Sequence, residues 1–110
     1  MPLPSHLDAI DLVNRIDPSK DVDGFTPHNQ IRLLQGRTGL FPCTPLGIMR
    51  LLELNNVMIR GKHAVILGRS LIVGKPLSAM MLDANATVTV THSHTENLKE
   101  ICQDADILVA

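Results

Sequence analysis

Val65-Ile66-Leu67-Gly68-Arg69-Ser70-Leu71-Ile72-Val73-Gly74-Lys75-Pro76 is the stretch on which the fold turns. The run His63 to Leu67 is short and mostly apolar, the character of a parallel strand buried on both faces. It ends on Gly68, and a helix is predicted from about Gly74 to Leu82. Gly68 suits a sharp turn, and Gly74 suits close packing of helix on strand. Backbone amides at a helix start lack partners within the helix and attract anions. The spacing Gly-x-Ser-x-x-x-Gly is a variant of the dinucleotide-binding Gly-x-Gly-x-x-Gly, with Ser70 in place of the second glycine. The strand–turn–helix setting strengthens that signal. The competing reading is an ordinary glycine-containing turn between strand and helix.

Downstream, Thr87-Val88-Thr89-Val90-Thr91 is a β-branched strand. Thr95 is expected to cap a short helix through about Cys102, and Asp106 to Ala110 reads as a third strand. Strand, helix, strand, helix, strand is the mononucleotide-binding half of a doubly wound parallel sheet. Such a sheet needs further strands, so the chain is expected to be a fragment or truncated.

Upstream the rhythm is helical. Pro2 and Pro4 make an extended start. Ser5 with Asp8 reads as a capping box, and Leu7, Ile10, Val13 and Ile16 recur at helical spacing until Asp17-Pro18. Lys20 to Phe25 is a charged loop. A short helix is predicted over His28 to Leu34. Thr44-Pro45 signals another helix start, with Thr44 at the N-cap; Ile48, Met49, Leu51, Leu52 and Leu54 give it a broad apolar face. Asn55-Asn56 ends it. A domain boundary is expected between Asn55 and Lys62, dividing the chain into residues 1–58 and 59–110.

Composition narrows the function. Phe25 and Phe41 are the only aromatics apart from histidine, which argues against base-stacking platforms for single-stranded nucleic acid. A net charge of −1 with no basic block leaves no electrostatic footprint for DNA or RNA. No apolar run is long enough to span a membrane, and Met1-Pro2-Leu3-Pro4 does not resemble a secretory leader. Cys43 and Cys102 lie far apart in no metal-binding pattern and read as reduced thiols of a cytoplasmic protein.

Two places carry candidate chemistry. The second strand ends at Thr91-His92-Ser93-His94-Thr95, with no acid before Glu96. NAD sites usually place Asp or Glu at this point to bind the ribose hydroxyls, and an acid would repel a 2′-phosphate. Ser93 can donate to such a phosphate, and Arg69 at the first turn can pair with it or stack on adenine. NADP is therefore favoured over NAD, the alternative being that Arg69 is a solvated surface residue. His92 and His94 share a strand face but have no carboxylate or Cys at metal spacing, so no metal is expected. His6, His28 and His63 read as ordinary surface or strand-end residues. In Lys20-Asp21-Val22-Asp23-Gly24-Phe25, a carboxylate beside a glycine could accept two hydrogen bonds from a 2-amino-pyrimidinone edge. A solvated acidic turn is the competing reading.

Taken together, Pro2-Leu3-Pro4, Lys20 to Phe25, Pro42-Cys43-Thr44-Pro45-x-Gly47, Gly68-Arg69-Ser70-x-x-Val73-Gly74-x-Pro76, Thr91-His92-Ser93-x-Thr95 and Ala105-Asp106-Ile107 resemble the methylenetetrahydrofolate dehydrogenase/cyclohydrolase family, in order and spacing, over essentially the whole chain. The resemblance implies an α/β fold: half of a Rossmann-like doubly wound sheet preceded by a helical part of the folate-binding domain. It implies hydride transfer from 5,10-methylenetetrahydrofolate to NADP, then hydrolysis of the methenyl product to 10-formyltetrahydrofolate. Gly68, Arg69 and Ser70 would line the pyrophosphate and ribose, with Ser93 and Thr95 at the adenosine end. Asp23 would grip the pterin, with Leu3 near the folate. The full-length partners implied are tetrahydrofolate derivatives and a second copy in a homodimer. The family's catalytic lysine sits in a Tyr-x-x-x-Lys motif ahead of Pro-Leu-Pro; this chain has no tyrosine, so no catalytic residue is assigned. Two rivals remain. One is a non-catalytic remnant that binds nucleotide weakly or offers a partner surface. The other is a different Rossmann dehydrogenase, which leaves Asp23 and Pro42 to Pro45 unexplained.

Overall fold

A computed structural model describes residues 3–110. Of the extended start expected at Pro2 and Pro4, Pro2 lies outside the described residues. Three helices come first: α1 (Ala9–Asn14), α2 (Pro27–Leu34) and α3 (Cys43–Leu54). Then β1 (His63–Leu67), α4 (Gly74–Asp83), β2 (Thr87–Thr91), α5 (Leu98–Gln103) and β3 (Ile107–Val109) alternate. The strands form one parallel sheet in the order β2-β1-β3, with His63 opposite Thr87, Leu67 opposite Thr91 and Ala64 opposite Ile107. A central first strand flanked by the next two is the α/β doubly wound arrangement that the alternation predicts.

The core is aliphatic. Ala64 and Ile66 of β1 pack with Leu77 and Met81 of α4, Ala86 and Ile107, and α3 adds Ile48, Met49 and Leu52. A smaller cluster joins Leu33 of α2 to Ala79 and Met80 of α4, flanked by Phe41 and Met49. Helix α4 is thus the shared element: one side lies on the sheet and another meets α2 and α3.

The third strand is shorter than expected, Ile107–Val109 rather than Asp106–Ala110, and four helix starts differ. Helix α1 starts at Ala9 because Asp8, not Ser5, caps it: the Asp8 carboxylate accepts from the amides of Ile10 (2.7 Å) and Asp11 (3.0 Å). Helix α2 starts one residue early because Thr26 is its N-cap, accepting from Asn29. Helix α3 begins at Cys43 with Pro42 at the cap and no side-chain cap bond, so Thr44 lies inside the helix. Thr95 does not cap α5: its hydroxyl accepts from the His92 amide at 2.8 Å and closes the turn after β2, and α5 starts only at Leu98.

His63 is more than a strand-end residue. Its amide donates to Asp106 (2.9 Å), and its ring lies between the Asp104 carbonyl (3.1 Å) and the Thr89 hydroxyl (2.9 Å), tying all three strands at one end. The His63 amide holds the Asp106 carboxyl below its ordinary range, helped by Lys62 at 3.4 Å.

At the other end of β1, helix and strand meet with no spare room. A Cβ on Gly74 would overlap the Gly68 carbonyl. Gly74→Ala should therefore destabilise the fold by about 1–3 kcal/mol, the usual range for steric overpacking. Urea denaturation of chain and variant measures it; a loss below about 0.5 kcal/mol, the scale of a neutral surface change, would show that α4 slides freely.

Candidate functional site

Two loops leave the carboxyl ends of β1 and β2 side by side. The Gly68 amide donates to the Thr91 carbonyl at 2.9 Å, and the buried Thr91 hydroxyl donates to the Ile66 carbonyl at 3.2 Å. These bonds lock the end of β2 to the turn after β1. Gly68 holds φ at +114°, a region open to glycine, and space is clear on the side where a Cβ would stand.

The first loop is organised differently from the helix-start reading. Ser70 Oγ accepts from the amides of Val73 (3.1 Å) and Gly74 (3.3 Å), and the Ser70 carbonyl accepts from Lys75 (3.0 Å). The first amides of α4 are thus satisfied within the protein, which corrects the expectation that they point unpaired at an anion. Ser70 acts as a cap rather than a plain substitute for glycine. The amides of Arg69, Ser70, Leu71 and Ile72 have no protein acceptor among the described residues. The donors available to a phosphate therefore lie one turn earlier, in the loop itself. They lie beside the tight Gly68–Gly74 approach, where a Cβ on Gly74 would overlap the Gly68 carbonyl.

In the second loop Ser93 and His94 are exposed, and Thr95 is half-buried. The Thr95 oxygen is used by His92, which leaves its O–H as a donor. The His92 and His94 ring centroids are 6.1 Å apart, and the His94 amide donates to His92 Nδ1 at 3.2 Å. Among the described residues no group of three or more His, Cys, Asp or Glu side chains gathers at metal-binding range. Arg69 is exposed and its guanidinium has no ion-pair partner among the described residues.

The aspartates of the Lys20–Phe25 loop have separate lives. Asp21 is buried, at 4% exposure, and its carboxylate accepts from the amides of Phe25 (2.9 Å) and Thr26 (2.7 Å) and from Asn29 Nδ2 (2.9 Å). Burial alone would raise its pKa, but the bonds from Asn29, Thr26 and Phe25 together outweigh it and bring the value to about 2. Asp23 is exposed and makes no side-chain hydrogen bond among the described residues. Sequence reasoning missed Asp21, Thr26 and Asn29. A signal existed, since an aspartate shortly before a Thr-Pro helix start can reach the amides of the N-cap residue and the residue before it.

A cleft of about 480 Å³ separates the two regions. Ile10 and Val13 of α1, Phe25 and Gln30 line one side, and Ser70, Leu71 and Ile72 the other. The structure thus brings Ser70 opposite the loop that carries Asp23. Leu3, Asp23, Arg69, Ser93 and Thr95 are not among its lining residues, and Leu3 is half-buried in the coil before α1.

Comparisons with known proteins agree with this geometry. Residues 42–110 match the family model for the NAD(P)-binding domain of tetrahydrofolate dehydrogenase/cyclohydrolase. The bifunctional protein FolD of Acholeplasma laidlawii is 59% identical over 110 residues, all of this chain but 40% of that protein. FolD of Agathobacter rectalis is 53% identical over 99% of the chain and 39% of its own length. The crystal structure of FolD from Campylobacter jejuni superposes with a TM-score of 0.96 at 46% identity, covering 100% of this chain and 40% of that one. The Trypanosoma brucei enzyme, solved with NADP and an inhibitor, superposes at 0.92 with 38% identity over 99% of this chain and 38% of its own. The chain spans about two fifths of the length of these relatives. Among the described residues no helix is long and apolar enough to cross a membrane.

The Asp21 shift has a pH signature. Its folded pKa lies below the unfolded value of about 3.9, so its contribution, about 2 kcal/mol, is complete above pH 4 and fades as pH falls towards 2. Asp21→Asn should flatten the acid limb of the stability curve between about pH 4 and 2. Urea midpoints across that window test this; an unchanged slope would mean that Asp21 titrates normally.

Proposed function

Because this chain belongs to the tetrahydrofolate dehydrogenase/cyclohydrolase family, we propose that it supplies the dinucleotide-binding loops and part of the folate site of a bifunctional enzyme of one-carbon metabolism. The full-length enzyme oxidises 5,10-methylenetetrahydrofolate and hydrolyses the methenyl product to 10-formyltetrahydrofolate. The observation that carries this reading is the pair of loops at the carboxyl ends of β1 and β2, joined through Gly68 and Thr91. In doubly wound sheets, ligands bind outside the carboxyl ends of the strands. Residues 1–58 are assigned to the folate-binding domain and 59–110 to the first half of the cofactor domain; α3, which packs on the sheet, falls within the cofactor-domain match that starts at residue 42. A cytoplasmic homodimer is the proposed full-length state.

NADP, when bound, supplies the hydride acceptor. The chain's residues hold and orient it: Gly68 keeps the turn open, the Arg69–Ile72 amides meet phosphate, and Ser70 braces the loop against α4. Arg69 and Ser93 meet the 2′-phosphate, with Thr95 beside them. On the folate side, Asp23 accepts from the pterin edge and Leu3 lies near the folate. The cleft between the two regions is lined mainly by apolar side chains.

The chain by itself should be inactive, because the family's Tyr-x-x-x-Lys motif is not in it. Assays with methylenetetrahydrofolate and NADP at high protein concentration should read zero; turnover that survives removal of contaminating full-length enzyme would overturn this.

Cofactor choice tests the loops. In a full-length relative whose corresponding segment is replaced by these residues, NADP should bind more tightly than NAD. Arg69→Ala with Ser93→Ala should weaken NADP about tenfold or more, and NAD less than about threefold, since charged hydrogen bonds to the extra phosphate are lost. Added salt should weaken NADP more than NAD. Equal losses for both cofactors would remove Arg69 and Ser93 from the 2′-phosphate site.

A further inference from the structure

Of the two aspartates in Lys20-Asp21-Val22-Asp23-Gly24-Phe25, only one has room for a ligand. The Asp21 carboxylate is saturated by Phe25, Thr26 and Asn29, at 2.7–2.9 Å, and is shielded from solvent. Asp23, two residues on, is exposed and has no hydrogen-bond or ion-pair partner among the described residues. The backbone on both sides of Asp23 is tied down. Val22 donates to the Lys20 carbonyl (3.0 Å) and Gly24 to the Asp21 carbonyl (3.1 Å). The Gly24 carbonyl accepts from Gln30 Nε2 at 2.5 Å. Gly24 itself sits at φ +65° against the Leu40 carbonyl, where a Cβ would overlap. Asn29 ties the start of the loop as well, donating to the Pro18 carbonyl at 3.0 Å.

We propose that Asp21 is a positioning residue for the folate substrate: an acceptor hub, out of the ligand's reach, that holds the loop tip so that the Asp23 carboxylate presents both oxygens to the pterin in one orientation. This rests on the assignment of Asp23 to the pterin edge. Two parallel hydrogen bonds demand a fixed carboxylate plane. A loop ordered on folding need not be ordered at binding, and that preorganisation appears as affinity. Asn29 belongs to the same device, because it joins Asp21 to Pro18 and its own helix, α2, follows the loop. Gln30, which holds the Gly24 carbonyl, also lines the cleft opposite Ser70, so the same frame sets the Asp23 loop against the cofactor loop.

The test uses a full-length relative with this segment in place of its own, and measures steady-state kinetics in methylenetetrahydrofolate together with the NADP dissociation constant. Asp23→Ala should raise the folate KM about tenfold or more, the scale of lost charged hydrogen bonds. Asp21→Asn keeps the shape but sets an NH2 or a weaker acceptor against donor amides. It should raise the folate KM about tenfold, leave the NADP dissociation constant within about twofold, and lower kcat less than about threefold. Combined with Asp23→Ala, it should add less than about twofold, because it acts through Asp23. If Asp23→Ala leaves the folate KM unchanged, the Asp23 assignment fails. If Asp23→Ala acts but Asp21→Asn does not, or if the two effects multiply, the positioning role is overturned and Asp21 is structural only. Asn29→Ala is the gentler second variant should Asp21→Asn not fold. It removes one of the three donors, should raise the folate KM about threefold, and is judged by the same non-additivity.

Discussion

The contact between Gly74 and the Gly68 carbonyl sets the spacing on which the rest of the structure depends. With no side chain at position 74, the first turn of α4 can lie against the end of β1. That seats Leu77 and Met81 on Ala64 and Ile66. It also fixes the loop between, since Ser70 must fold back to satisfy the amides of Val73 and Gly74. The Gly68 amide, 2.9 Å from the Thr91 carbonyl, continues the β1–β2 ladder into this turn and joins the ends of the two strands. Packing and site share one origin: a backbone that comes close because a Cβ is missing.

Helix α4 also carries the second half of the molecule. Ala79 and Met80 meet Leu33 of α2, with Phe41 and Met49 alongside. Because α2 begins where the Asp21 loop ends, the position of that loop relative to the sheet passes through this aliphatic cluster. The cluster is small and nearly free of aromatic rings, so each methylene in it matters, and no large flat side chain substitutes for exact helix spacing.

The Asp21 hub shows how a short loop becomes rigid without a core of its own. Three donors converge on one carboxylate, and a charged acceptor strengthens each bond. The negative charge is stabilised at the start of α2, where amides are free. This leaves Asp23 as the group that can meet something outside the protein.

Much of this was determined by the sequence by itself. The apolar run into Gly68, the β-branched run at Thr87 to Thr91 and the intervening helix follow from periodicity and residue type, which act locally. Their alternation specifies a parallel doubly wound sheet. The missing acid after Thr91 is likewise legible, because it concerns one position at a strand end. The caps are not legible in this way: Asp8 rather than Ser5 caps α1 and Thr95 turns back to His92, because several nearby residues could each offer an oxygen and only the folded backbone selects one, while α3 starts after Pro42 with no side-chain cap at all. Asp23 stands out in the sequence as the carboxylate beside Gly24, but the role of Asp21 does not. It is the approach of α2, with the amides of Phe25 and Thr26 and the side chain of Asn29, that buries Asp21 and leaves Asp23 exposed. Which amides stay open to an anion was also a tertiary decision, made when Ser70 folded onto the start of α4 and left the loop before it unpaired.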